Sequence, residues 1–314
     1  MELNFLEVLR DHTAGDPMRQ EVKWTDLTRR EISGLLAVRG TPAGKRVVKQ
    51  LLKKHGYVKR KAQKIRTMGP RHPDRNAQFQ NIARLKQEYL GAGDPVISMD
   101  TKKKELLGNF YRDGKLYTRE VIGVFDHDFP GAASGVVFPH GLYDVGKNLG
   151  HINLGTSHET SQFACDSLAR WWRTQGRKRY PHARRLLLLC DGGGSNGARR
   201  FVFKEELQKL AQRLGLEIRV AHYPPYCSKY NPIEHRLFPH VTRACQGVVF
   251  HTIQIVKDLM EKTSTSTGLQ VTVDILDKVY DTGRKCADGF KHNMKILFDD
   301  FLPQWNYRAV PPVT

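Results

Sequence analysis

Apolar residues recur at helical spacing in the first part of the chain. Between residues 24 and 56 they predict two short helices separated by a turn. Thr28 and Glu31 have the spacing of a capping box at the start of the first helix. We expect Thr41 and Pro42 to be the N-cap and the first residue of the second helix. This helix-turn-helix pattern is typical of DNA-binding domains.

A further amphipathic helix is predicted from Asp74 to about Leu90, and it ends in a break rich in glycine and proline at residues 91–95. The pattern changes there, so we place a domain boundary at the break. The predicted divisions are a helical DNA-binding region at 1–92, a central domain at 93–268 and a basic C-terminal tail at 269–314.

Strand patterns dominate after the break. An apolar run leads to Asp100, and the uninterrupted run Leu186–Cys190 is typical of a strand that is covered on both faces. Helical patterns at about 159–174 and 199–214 alternate with the later strands. This order predicts an α/β domain whose later strands are parallel.

Two of these predicted strands end in an aspartate. Asp100 and Asp191 each follow an apolar run, and Glu234 falls in the first turn of a helix that Asn231 and Pro232 begin. The carboxyl ends of parallel strands meet at one edge of a sheet, where a residue from the next helix can join them. The sequence therefore predicts that the three acids converge.

Three converging carboxylates indicate a divalent-metal site, because a bound cation relieves their mutual repulsion. Oxygen ligands favour Mg²⁺ or Mn²⁺ over zinc. Two such ions, roughly 3.5 to 4 Å apart, can activate an attacking oxygen and stabilise the departing one at phosphorus. We therefore expect Asp100, Asp191 and Glu234 to be both metal ligands and catalytic residues.

Each acid also has a purely structural interpretation. Asp100 could form a turn with the residue after it, and Asp191 precedes glycines, as turn-forming aspartates often do. Glu234 lies where a glutamate completes a capping box with Asn231. The sequence leaves these alternatives open.

The chain of 314 residues has a formal net charge of +19, which predicts a polyanionic partner. Double-stranded DNA is the partner we expect, and a basic surface without a ligand is the alternative. The candidate DNA-binding residues are Lys45, Arg46, Lys49, Lys102, Lys103, Lys147, Asn196 and His235.

Other global features limit the class of protein. No window is apolar enough for a membrane span, and the first residues lack the pattern of a secretion signal. The five cysteines are widely spaced and form no C-x-x-C pair, which argues for reduced thiols. We expect a cytoplasmic protein.

Four segments together resemble a known family. They are Ser98–Phe110, Arg170–Arg173, Asp191–Gly197 and Ile233–Phe238. These strings resemble the Rhodopirellula-type DDE transposases of bacterial insertion sequences. The resemblance implies a ribonuclease H-like mixed sheet with flanking helices over 93–268, preceded by a small helical region. It also assigns the two aspartates and the glutamate of the family to Asp100, Asp191 and Glu234.

The resemblance is dense from about Gly91 to Gly268. It is loose before Arg71, where family members usually carry a longer DNA-binding region, and the sequence departs from the family pattern after Asp274. These departures leave open whether the N-terminal region is truncated. They do not affect the three acids.

The resemblance implies a transposase that cleaves DNA at transposon ends and joins the exposed 3′-hydroxyl to target DNA. Since two ends must be held together, we expect a homodimer or a larger assembly on DNA. One alternative is a nuclease of the same fold that cuts without joining. Another is a domesticated DNA-binding protein whose acids are structural remnants.

Overall fold

The computed structural model describes residues 1–16, 19–60 and 72–312, and the chain divides into two compact units, Met1–Arg66 and Thr67–Thr314. The helices are α1 (Glu2–Asp11), α2 (Arg29–Val38), α3 (Lys45–Lys54), α4 (Arg75–Gly91), α5 (Ser161–Trp171), α6 (Arg177–Arg179), α7 (Phe201–Leu214), α8 (Pro232–Arg236), α9 (Phe238–Ala244), α10 (Ile253–Glu261) and α11 (Phe290–Asn293). The strands are β1 (Thr13–Asp16), β2 (Arg19–Thr25), β3 (Val96–Thr101), β4 (Glu105–Leu107), β5 (Gly135–Asp144), β6 (Leu149–Gly155), β7 (Arg185–Cys190), β8 (Glu217–His222), β9 (Gln270–Leu276), β10 (Ile296–Phe298) and β11 (Asn306–Ala309).

The first unit has a small core in which residues of α1, α2 and α3 meet. Phe5, Ile32, Leu36 and Val48 are fully buried there. The predicted capping box forms at the start of α2, because the Thr28 N–H donates to Glu31 at 2.6 Å and the Glu31 N–H donates to Thr28 at 3.3 Å. The two predicted helices are therefore present.

The predicted start of the second helix is wrong. Gly44 is the N-cap of α3, so the helix begins after Thr41 and Pro42. The Thr41 N–H instead donates to the Leu36 carbonyl at 2.9 Å, and Gly40 before it has a φ of 72°. These features belong to the end of α2, where a left-handed glycine closes the last turn.

The second unit is built on a sheet in which, among the described residues, nine strands take part. Eight of them follow the order β10-β11-β8-β7-β3-β5-β6-β9, and β4 pairs with β5 beside this path. Strands β3, β7 and β8 are parallel, whereas β3, β5 and β6 are antiparallel. This mixed sheet with flanking helices confirms the predicted ribonuclease H-like fold class.

Helices cover both faces of the central strands. Leu168 of α5 and Phe203 of α7 belong to one buried cluster with Leu188 of β7. On the other face, Leu85 of α4 packs in a cluster with Leu187. Neighbouring residues of β7 thus enter opposite cores, which explains why this strand is apolar at every position.

The unit boundary differs from the division that the sequence predicts. Helix α4 packs on the sheet of the second unit, so residues 75–91 do not belong with the first unit. Residues 269–314 are not an appended tail, because β9 pairs with β6 and β11 pairs with β8. A helical pattern does not reveal which surface its apolar face covers, and strands as short as β10 and β11 carry a weak periodic signal.

In the described part of the chain, no helix is both long and apolar enough to cross a membrane.

Candidate active site

Asp100 and Asp191 lie at the same edge of the sheet. Asp100 is the penultimate residue of β3, and Asp191 follows the last residue of β7. The two strands are parallel neighbours in which Ser98 pairs with Leu189. Continuing this register by two residues sets Asp100 beside Asp191. The predicted juxtaposition of the two aspartates thus follows from the strand pairing.

Helix α8 is attached to β3 by three buried hydrogen bonds. The Ser98 hydroxyl donates to Asn231 Oδ1 at 2.5 Å, and Asn231 Nδ2 donates to the Met99 carbonyl at 3.1 Å. The Ile233 N–H donates to Ser98 Oγ at 2.9 Å. Because side chains alternate along a strand, Asp100 projects to the same face as Ser98. Glu234, the next residue of α8, therefore lies on the Asp100 side of the sheet.

The capping alternative for Glu234 does not hold in this structure. Asn231 is the N-cap residue of α8, but its side chain makes no capping hydrogen bond. Its amide is used for the contacts with β3. A capping box, which needs both reciprocal bonds, is therefore not formed.

The three carboxylates interact electrostatically. The pKa of Asp100 is raised to about 8, first by burial and then by the negative charges of Asp191 and Glu234 and a hydrogen bond with Glu234. The Thr101 N–H, which donates to Asp100 at 2.8 Å, acts in the opposite direction. Burial also raises the pKa of Asp191, with an additional contribution from Glu159. A carboxyl with a pKa this high is protonated at neutral pH when no cation is near.

The donor set at this edge suits a hard divalent cation. All three side chains offer carboxylate oxygens, and their repulsion is what a cation would relieve. Within residues 1–16, 19–60 and 72–312, however, no three His, Cys, Asp or Glu side chains are arranged so that they could hold a metal ion as they stand. Asp100, Asp191 and Glu234 are electrostatic neighbours at one sheet edge, and they do not form a ready-made metal site in this arrangement.

The candidate DNA-binding residues lie in several places. Lys45, Arg46 and Lys49 are exposed on α3 of the first unit. Lys103 is exposed just after β3, whereas Lys102 forms an ion pair with Glu105 at 2.5 Å, and its side chain is only 12% exposed. Lys102 is thus engaged within the protein.

The other three candidate DNA-binding residues lie in different environments. His235 follows Glu234 and is exposed, but Asn196 is buried and accepts a hydrogen bond from the Ser195 hydroxyl at 3.2 Å. Lys147 lies in the turn after β5, whose last residue, Asp144, pairs with Ile97 near the start of β3. Because β5 is antiparallel to β3, the structure sets Lys147 at the edge opposite the acids.

Sequence reasoning missed Ser98 and Glu159. Ser98 precedes Asp100 by two residues, so its position on the same face was a usable signal. Glu159 precedes α5 and accepts a hydrogen bond from the Ser195 hydroxyl at 3.1 Å. Together with Gly194 it lines a cavity of about 840 Å³, which extends to Arg200 and Lys291. Only the fold brings these distant residues together.

Comparison with solved structures gives distant similarities to Mos1 transposase. The Mos1 transposase paired-end complex with left transposon end is 15% identical, with 83% of this chain and 70% of that chain covered and a TM-score of 0.46. The mariner Mos1 paired end complex with Mg is 13% identical at the same coverage, with a TM-score of 0.49. No curated protein matches the chain in sequence.

Family comparison gives a match over nearly the whole chain. The Rhodopirellula transposase DDE domain matches residues 4–311. The match thus extends well beyond the dense region from Gly91 to Gly268 and includes both the first unit and the last strands. The chain belongs to the Rhodopirellula transposase DDE domain family.

Proposed function

We propose that this protein cleaves DNA at transposon ends and joins the freed 3′-hydroxyl to target DNA, with a metal site formed by Asp100, Asp191 and Glu234. The observation that carries the proposal is the parallel pairing of β3 with β7, which sets Asp100 beside Asp191, while buried hydrogen bonds attach the helix of Glu234 to the same strand. Clusters of this kind are typical of functional sites, where mutual repulsion is maintained for chemistry.

In this proposal the three acids hold Mg²⁺ or Mn²⁺, in a site of two ions. When bound, the ions would supply an activated attacking oxygen and stabilisation of the departing oxygen. The chain itself orients the ligands, because Ser98 and Asn231 fix α8 on β3. Asp100 holds a proton at neutral pH in the absence of ions and releases it when they bind.

We assign the DNA partner from charge. The formal net charge of +19 favours binding to phosphates along a duplex. The exposed Lys45, Arg46 and Lys49 on α3 provide a basic helix face in the first unit, which we propose contacts the transposon end. Since cleavage and joining act on two ends, a homodimer or a larger assembly on DNA is the expected active form.

The test uses a duplex that carries the inverted repeat flanking the reading frame, incubated with Mg²⁺ and a target plasmid. Asp191→Asn and Glu234→Gln keep the side-chain shapes while they weaken metal binding. We expect each to reduce cleavage and joining at least 100-fold, as loss of a several-kcal/mol metal contribution would. Normal rates in either variant would contradict the proposed site.

Asp94→Asn is the matched control. Asp94 lies two residues before β3, at the end of the strand away from Asp100, and it pairs with Arg185 at 2.7 Å. The substitution therefore removes a partly buried acid beside the same strand and leaves the three proposed metal ligands unchanged. We expect the Asp94→Asn variant to cleave and join DNA as the wild type does. Cleavage by the wild type without joining would indicate a nuclease, and DNA binding without cleavage or Mn²⁺ binding would indicate a domesticated binding protein.

A further inference from the structure

Tyr226 has a backbone conformation that disfavours a side chain. It lies between β8 and α8 in a turn of Pro224, Pro225, Tyr226 and Cys227, which the Cys227 N–H closes by donating to the Pro224 carbonyl at 3.1 Å. The φ of Tyr226 is 60°. Because proline fixes a negative φ at the second position, this is a type II turn, whose third position favours glycine or asparagine.

Packing does not account for a tyrosine at this position. The side chain is 62% exposed, and among the described residues it has no hydrogen-bond partner and no ring contact. Tyr230 in the same loop differs, because its ring packs against Phe79 at 5.1 Å and Arg75 lies over it at 5.6 Å. A strained residue without stabilising contacts points to a role outside folding.

The turn lies between the elements that carry two of the acids. The Tyr223 N–H donates to the Cys190 carbonyl at 2.9 Å, so the loop leaves the sheet beside Asp191. It ends at Asn231, which begins the helix of Glu234. Tyr226 is the third residue after Tyr223, so their Cα atoms are at most about 11 Å apart. The exposed ring therefore belongs to the same edge of the domain as the acids.

We propose that Tyr226 is a stacking platform for an unpaired nucleobase beside the phosphodiester that the acids cleave. This inference rests on the proposed function. A base that is unstacked beside the cut phosphate loses its neighbours in the duplex, and stacking on an aromatic ring offsets that cost. Every base has a π-face, so the contact is independent of the end sequence.

The test uses the inverted-repeat duplex with one 2-aminopurine beside the cleaved phosphate, in EDTA so that no cleavage occurs. We expect wild type and Tyr226→Phe to change the fluorescence equally. Tyr226→Gly and Tyr226→Asn are expected to abolish the change and to bind about tenfold more weakly, within the range of one base stack. Both should unfold about 2 to 4 °C higher than wild type, because they relieve the strained turn.

Tyr117→Ala is the control, since Tyr117 is a fully exposed tyrosine in a different loop. It should leave the fluorescence change intact. An unchanged fluorescence signal and affinity in Tyr226→Gly would overturn the proposal, as would a wild type that shows no signal. Absence of cleavage by the wild type with Mg²⁺ would instead count against the proposed function alone, because the stacking experiment needs no metal.

Discussion

Ser98 and Asn231 are joined by a buried hydrogen bond of 2.5 Å between strand β3 and helix α8. Ser98 also accepts the Ile233 N–H at 2.9 Å, so one hydroxyl serves both the side chain and the backbone of the helix start. Asp100 and Glu234 follow these residues in their respective elements. The relative position of two of the proposed metal ligands thus depends on this small polar contact.

Ser98→Ala is expected to destabilise the protein by about 1–3 kcal/mol, because the buried Ile233 N–H loses its acceptor. Chemical denaturation measures this change. Metal-dependent cleavage should also fall, since α8 keeps only one of its three hydrogen bonds to β3 and Glu234 is held less firmly. Ser167→Ala is the control: Ser167 is equally buried, and within the described residues its hydroxyl has no partner. Equal losses of stability and cleavage in the two variants would show that the hydrogen bonds of Ser98 have no special role.

Asp100→Asn is expected to stabilise the metal-free protein. Burial and the neighbouring acids raise the folded-state pKa of Asp100 from 3.8 to about 8. Ionisation therefore disfavours folding increasingly as the pH rises from about 4 to 8, and the asparagine avoids this cost. The gain in thermal midpoint over wild type should grow across that pH range.

Adding Mg²⁺ should reverse the order of the thermal midpoints of wild type and Asp100→Asn. Wild type gains stability when it binds the ion, whereas Asp100→Asn should gain little. Asp126→Asn, at a side chain that is 95% exposed, should behave as wild type throughout. A thermal midpoint of Asp100→Asn that does not exceed that of wild type at pH 7 would contradict the assigned electrostatics.

Buried histidines should make the fold sensitive to acid. Burial lowers the pKa of His140 from 6.5 to about 3 and that of His222 to about 4. The unfolded chain therefore takes up protons below about pH 6.5 that the folded chain does not, and stability is lost as the pH falls. His140→Leu should reduce this loss between pH 6.5 and 4, as measured by denaturation. His127→Leu, at an exposed residue, should leave the slope unchanged.

The basic face of α3 should determine much of the salt dependence of DNA binding. Replacing Lys45, Arg46 and Lys49 together by alanine is expected to reduce the slope of log K against log salt by about 3, or about 0.9 for each phosphate contact. Lys54→Ala is the control on the same helix, since Lys54 pairs with Glu2 at 2.6 Å. An unchanged slope in the triple variant would exclude this face from the DNA interface.

The fold class and the candidate acids could be predicted because their signals are local. The leucine run of β7 identifies a strand covered on both faces, and Asp191 directly follows it. Asp100 and Asp191 then come together through the pairing rules of parallel strands. The capping box of α2 could be predicted for the same reason, because it depends on two residues at a fixed spacing.

Long-range partners could not be predicted in this way. Asn231 begins its helix as expected, but its side chain bonds to β3, about 130 residues earlier in the chain, and not to the helix itself. Lys147 is a candidate DNA-binding residue from the sequence, yet the direction of β5 carries it to the edge opposite the acids. The burial of Asn196 likewise depends on how the glycine-rich loop packs against α5, which spacing does not encode.

Calorimetric titration with Mn²⁺ at pH 7, in two buffers of different ionisation enthalpy, measures directly whether the three acids form a metal site. Wild type is expected to bind Mn²⁺ and to release about one proton, because Asp100 must give up the proton that its raised pKa retains. Asp100→Asn should release no proton, and Asp191→Asn and Glu234→Gln should bind far more weakly. Binding of equal strength in all four proteins, or none in wild type, would contradict a metal site formed by these acids.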